Sequence, residues 1–285
     1  VTIKTIVVSH KEVGVTGPQG GTGDSAQRGH EHAVVWIRRW DDQQQAYMPD
    51  REDRFAALID AVEAGAGRPD PLVLDLGCGP GSLAVRLLDR LPHASVIAVD
   101  ADPVLLALGR AAWPGRSGLR FAELDMRDPG WSRGLGLDRQ ADAAVSTTAL
   151  HWLTQPALTA LYADLAAVLR PGGLLLDGDH LSEDEAVSPV LAVLGRALVE
   201  RAARRRLPAG DAESWRGWWE AVAADPALAD LLARRERLGL DSEHHGSAAG
   251  LLRTHVDALW AAGFTEVGTL WQRGENRLLC GVLGG

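Results

Sequence analysis

Asp75 stands directly before a run of closely spaced glycines, in Val73-Leu74-Asp75-Leu76-Gly77-Cys78-Gly79-Pro80-Gly81. Glycines so placed let a backbone approach a ligand with no Cβ in the way. Their spacing is G-x-G-x-G, whereas the fingerprint of a dinucleotide site is G-x-G-x-x-G. A carboxylate beside such a loop repels a pyrophosphate but suits a ligand that carries an ammonium and a sulfonium. Asp75 therefore discriminates between two kinds of nucleotide-like ligand. Asp100 does not, because a carboxylate at the end of a second strand accepts ribose hydroxyls in either kind of site.

His151 is the candidate for proton chemistry or for contact with a second ligand, since an imidazole is a base near neutral pH. Its plainer reading is a structural histidine beside Trp152. His244-His245 and Asp179-His180 are polar pairs placed to border the same mouth, and an exposed loop explains the former equally well. Asp177, Asp179 and His180 lack the further ligands that a coordination shell needs, and His30-Glu31-His32 lies in a polar stretch, so no metal is expected. Trp218 and Trp219, with Trp215, form either the core of a helical segment or an aromatic wall over a planar or apolar ligand.

The elements around these residues alternate. Phe55, Leu58, Ile59 and Val62 recur at helical spacing and stop at Gly65–Gly67. Leu72–Leu74 is a short apolar run of the kind buried in a parallel sheet. A helix with Leu83, Leu87, Leu88 and Leu91 on one face follows the glycines, then a strand at Val96–Val99, and Pro103 opens the next helix. Leu119–Leu124, Ala141–Ser146 and Leu174–Leu176 are three further strands, the last after a helix closed by Pro171-Gly172-Gly173. Strands and helices in this order predict an α/β, Rossmann-like doubly wound sheet. After the fifth strand the alternation breaks: 186–246 reads as a helical insertion. A helix over about 248–262 and a hairpin around Gly274-Glu275-Asn276 complete about seven strands, the last antiparallel. In this topology an insertion after strand five lies above the ligand-binding ends of the strands, so 186–246 is expected to be a substrate lid.

Residues 1–33 are expected to be a flexible tail, because 9–30 is rich in Gly, Ser, Thr and Gln and buries too little to offset its ordering entropy. The single folded domain would then be 34–285. A net charge of −9 argues against nucleic acid as a partner. The absence of any apolar run near the roughly 20 residues that cross a bilayer argues against a membrane. Val1–Val8 offers no secretory signal, and Cys78 and Cys280 make no disulfide framework, so a cytoplasmic setting is expected.

The segment 73–81 resembles the glycine loop of class I S-adenosylmethionine-dependent methyltransferases, and the resemblance extends from about residue 34 to the C-terminus. It implies that S-adenosylmethionine is the cofactor, with Gly77, Cys78, Gly79 and Gly81 under its methionine part and Asp100 and Ala101 at the ribose. It implies that Asp125 takes the adenine amino group and Met126 flanks the ring. The run Asp142 to Trp152 is similar to the fourth motif of the trans-aconitate methyltransferase branch, in which Asn is frequent at the position of Thr147. In the same branch an N-terminal segment similar to Trp40-Asp41-Asp42 through Tyr47 and Arg54 covers the cofactor, which makes Arg54 a partner for its carboxylate. A surface arginine on the first helix is the alternative. The acceptor is expected to be a small molecule, with His151, Trp152, Trp218, Trp219, His244 and His245 about it. A non-catalytic adenosylmethionine-binding regulator and, against Asp75 and the loop spacing, a dinucleotide-dependent oxidoreductase are the competing functions.

Overall fold

The computed structural model describes residues 21–48, 50–206, 213–240 and 250–285. Each short apolar run becomes a strand: β1 (Leu72–Leu76), β2 (Ser95–Asp100), β3 (Leu119–Glu123), β4 (Ala141–Thr147) and β5 (Leu169–His180), and all but the outer β3 are largely buried on both faces. These five are parallel, and β6 (Phe264–Arg273) and β7 (Asn276–Leu283) extend the sheet in the order β3-β2-β1-β4-β5-β7-β6. β7 runs antiparallel to both its neighbours. The seven strands and the antiparallel last strand agree with the sequence reading.

Period-2 alternation divides the core into two layers. Leu72, Leu74 and Leu76 face the layer of α5 (Gln155–Val168) and α9 (Leu252–Ala261), with Leu158, Leu165 and Leu259. Val73 faces the layer of α2 (Arg51–Gly65) and α3 (Ser82–Arg90), with Phe55, Leu58, Leu83 and Leu87. The same alternation turns Asp75 toward that second, apolar layer.

Three findings depart from the sequence reading. First, the helix α1 spans Gly21–Tyr47, so 21–33 belongs to a helix and not to a tail. Ala33, Trp36 and Ile37 anchor it in a third apolar cluster with Val104, Leu105 and Leu108 of α4 (Pro103–Ala112), and a Gln27–Glu31 bond one turn apart supports its exposed start. Second, α5 stops at Val168, and Pro171-Gly172-Gly173 lies within β5 instead of closing the helix. Third, the described part of the insertion packs against the N-terminal half of the chain, which the sequence reading did not anticipate. Its helices α7 (Trp215–Ala223) and α8 (Ala229–Arg237) pack on α1 and α4, while α6 (Pro189–Arg206) leaves Val190, Leu191, Val193, Leu194 and Leu198 more than half exposed. Among the described residues no helix is long and apolar enough to cross a membrane.

Candidate active site

The glycine loop closes over the carboxyl end of the sheet. Gly77, Gly79 and Gly81 all adopt left-handed backbone, at φ 67°, 54° and 89°, which side chains with a Cβ rarely reach. The amides of Gly77 and Cys78 both donate to the Val99 carbonyl, so β2 fixes the loop. A Cβ on Gly77 would collide with Ala149, whereas at Gly79 it would make ordinary contacts, 3.7 Å from Trp40 and 3.9 Å from Leu105. Gly77 is thus demanded by packing and Gly79 by its left-handed backbone. Asp100 holds the loop from below: its Oδ2 accepts the Gly79 amide at 2.7 Å and its Oδ1 the Asp102 amide at 2.9 Å. Burial and the nearby Asp102 raise its pKa to about 6.

Two cavities open beside this loop and share Trp40, Gly77, Gly79, Thr148, Trp152 and Trp215. The smaller, about 250 Å³, lies over β2 and β3. Its walls include Asp100, Ala101, Leu105, Leu124 and Met126, an apolar slot with a carboxylate at one end, and Asp125 stands at its rim. Asp125 is already engaged: Arg127 donates to it from the backbone amide, Nε and Nη2, so an adenine amino group would compete with that guanidinium. The slot is roofed by Trp215 and Trp219 of α7 and by Arg235 of α8, whose guanidinium lies 4.0 Å from the Trp219 ring and donates to Asp102 at 2.7 Å.

The larger cavity, about 590 Å³, opens toward β4 and β5. His151 lines it, and its Nδ1 lies 2.7 Å from Asp179 Oδ2. These residues come from adjacent strands: the pairing of Thr147 with Gly178 puts the turn after β4 beside the end of β5. Thr148 completes that turn at φ 52°, the only described non-glycine residue with positive φ, with its amide on the Gly178 carbonyl. Burial pushes Asp179 up, but His151 and Arg54 outweigh it and hold its carboxyl below the usual range. Burial instead dominates at His180, which is pushed down, and at Asp177, which burial and Asp179 push well up.

Several expected site residues sit elsewhere. Asp75 lines neither cavity; it is fully buried under α3, no hydrogen bond of good geometry reaches its oxygens, and burial and Asp100 raise its pKa to about 7 against the pull of the Ala84 amide. Arg54 is neither a surface residue nor a cavity wall. It is fully buried, donating to Thr147 Oγ1 at 2.7 Å and Asn276 Oδ1 at 2.8 Å, and Gly178 leaves it room, since a Cβ there would lie 2.9 Å from its Cδ. Burial lowers its pKa to about 10, opposed by Asp179 and Asp177. Trp218 is also fully buried, edge-on to Trp36 and Trp40 at ring distances of 5.5 and 4.9 Å, and belongs to the core. Trp152 and Trp219 do line cavities, as do Cys78 and Thr147. His244 and His245 lie outside the described residues. Among the described residues no cluster able to hold a metal ion exists.

Sequence reasoning missed Arg51, which lines the larger cavity with its guanidinium on Asp41 at 2.9 Å and above the Phe55 ring. It also missed Thr148 and Arg235. An arginine at the first position of α2 was a signal for Arg51, but it competed with Arg54 one turn further on.

Residues 73–173 match the family model described as a methyltransferase domain. The chain is 33% identical over 136 residues to a trans-aconitate 2-methyltransferase of Azoarcus sp. (strain BH72), covering 48% of this chain and 49% of that protein. A protein of the same name from Methylobacterium radiotolerans is 31% identical over 190 residues, covering 66% and 60%. Residues 73–173 are thus similar to a methyltransferase domain, and the chain as a whole is similar to these methyltransferases. It spans between about half and three fifths of the length of these relatives. Two solved structures share the fold: a possible exported protein from Bordetella parapertussis, at 18% identity and a TM-score of 0.51 over 82% of this chain and 68% of that one, and a magnesium protoporphyrin IX methyltransferase from Synechocystis PCC 6803, at 14% and 0.50 over 92% and 99%.

Proposed function

We propose that this chain is a class I methyltransferase that binds S-adenosylmethionine across the two joined cavities and transfers its methyl group to a small molecule held in the larger one. The observation that carries this reading is their junction at Gly77 and Gly79, with a carboxylate at one end (Asp100) and an imidazole–carboxylate pair at the other (His151–Asp179). The slot walled by Leu105, Leu124 and Met126 suits an adenine, and Asp100 suits the ribose hydroxyls beside it. Arg51 is the buried cation on the methionine side, where Arg54, sealed behind Thr147, is not.

The cofactor, when bound, supplies a methyl group made electrophilic by its sulfonium. The chain supplies alignment and exclusion of water, which account for most of the acceleration in such a displacement. Trp40, Trp152 and Trp215 border both cavities and so enclose the reacting centre. His151, oriented by Asp179, takes a proton where the acceptor carries one. Both cysteines are free and buried, in keeping with a reducing, cytoplasmic setting.

Calorimetric titration with S-adenosylmethionine, S-adenosylhomocysteine and NAD tests the cofactor. We expect the first two to bind and NAD not to; binding of NAD alone would overturn the assignment. Release of S-adenosylhomocysteine in the presence of an acceptor would exclude a purely regulatory binder.

A further inference from the structure

We propose that the acceptor is an uncharged, planar aromatic hydroxyl compound and not a polycarboxylate. The inference rests on the methyltransferase reading and concerns the substrate class of the same site. It departs from the relatives, whose name states an acceptor with three carboxylates.

Among the described residues, the lining of the cavity that would receive the acceptor is poor in positive charge. Arg51 is the one arginine of its described lining, it holds Asp41, and it faces the methionine side of the glycine loop. Arg54 is shut off behind Thr147 and committed to Asn276 and to the Asp177–Asp179 pair. The chain's two lysines, Lys4 and Lys11, precede the described residues. The fixed charge nearest His151 is negative, the buried carboxylate of Asp179. Carboxylate groups are recognised by paired, directional cations, and a polyanion entering here would meet like charge in a site that shields it weakly.

What the cavity does offer is aromatic surface and a base. Trp152 and Trp215 are close to parallel, at 27° with ring centroids 6.3 Å apart, and both remain nearly half exposed at the mouth. The His151 and Trp152 ring centroids are 5.5 Å apart, so a flat ring resting on that wall lies beside the imidazole. An ionised carboxylate has no proton to lose on methylation, and a base held by a buried aspartate would then serve nothing. A hydroxyl does need one. Its proton passes to His151 Nε2 while Nδ1–H donates to Asp179. An oxygen lone pair forms the new O–CH3 bond, and the S–CH3 bond breaks with its electron pair left on sulfur. The products are the methyl ether and S-adenosylhomocysteine, and His151 returns its proton to solvent. Asp179 is a positioning residue here, acting through His151.

The test uses the full chain saturated with S-adenosylhomocysteine and follows tryptophan fluorescence on addition of 1-naphthol, 7-hydroxycoumarin, citrate or trans-aconitate. In parallel, the chain with S-adenosylmethionine is assayed for cofactor turnover with each compound. We expect at least one aromatic hydroxyl to bind and be methylated, with affinity reduced about five- to tenfold in Trp152→Ala. Asp179→Asn should lower kcat by about 100-fold, shift its pH profile, and leave cofactor affinity unchanged. Methylation of trans-aconitate, or failure of both aromatic hydroxyls to bind, would overturn the proposal. Failure of S-adenosylhomocysteine itself to bind, measured first by calorimetry, would instead overturn the methyltransferase reading.

Discussion

Asp100 illustrates how one carboxylate can hold a loop and still face a cavity. It spends one lone pair on each of two loop amides and still borders the smaller cavity, the slot proposed for adenosine. Its pKa of about 6 leaves it partly protonated in mildly acidic solution. Ribose hydroxyls donate to the ionised form, so cofactor affinity should rise with pH to about 6 and level off above it. Calorimetry across that range checks this, and Asp100→Ala should weaken binding by about 1.5–3 kcal/mol; a pH-independent affinity would place the ribose elsewhere. Arg54 serves the fold alone. Arg54→Met would leave Asp177 and Asp179 buried side by side without their shared cation, and we expect a loss of about 3–5 kcal/mol in denaturant unfolding. The sequence showed Asp100 because a strand end and a glycine loop are local patterns. It could not show that Arg54 turns inward, since that depends on the room left by Gly178, more than a hundred positions away.

At the scale of elements, strands were legible wherever a short apolar run met glycine or proline. Contacts between elements were not. His151 and Asp179 meet only because β4 and β5 are neighbours in register, which no local spacing encodes. The tryptophans of α7 divide for a similar reason: Trp215 and Trp219, four apart, share the face over the cavities, while Trp218 turns to α1. The described part of the insertion thus lines the smaller cavity more than the larger one. We infer that α7 and α8 act as a roof over the cofactor. Hydrogen exchange should then show S-adenosylhomocysteine alone protecting 215–237 together with the glycine loop. Protection there only after an acceptor is added would restore an acceptor lid, and none at all would make the two helices a buttress.

The whole molecule carries an unusual balance of buried acid. Asp75 at about 7, Asp100 at about 6 and Asp177 well above its ordinary range all bind protons more tightly folded than unfolded. Each withdraws stability as pH rises from the usual carboxylate range through its folded pKa, at up to about 1.4 kcal/mol per pH unit for a single group. His180, pushed down by burial, acts oppositely and adds stability as pH rises toward its ordinary 6.5. Below the carboxylate range the sign reverses, because Asp142 and Asp179, held low by arginine and histidine partners against the opposing effect of burial, lose their stabilising charge there. The three raised carboxyls, together with Asp102 and Glu275, which burial also pushes up, outweigh the one imidazole and leave the ligand-free chain most stable near the ordinary carboxylate range and weaker toward pH 8. Asp75 is the group to test, since it lines neither cavity and has an amide isostere that stays neutral. Asp75→Asn should unfold at the same temperature as the parent near its ordinary 3.8, where Asp75 is protonated folded and unfolded, and at a temperature increasingly above the parent's as pH rises to about 7, because the unfolded parent ionises Asp75 over this range while the folded parent holds it neutral. Thermal unfolding of both proteins across this range decides it: curves that run parallel would show that Asp75 is not the group whose ionisation loosens the fold.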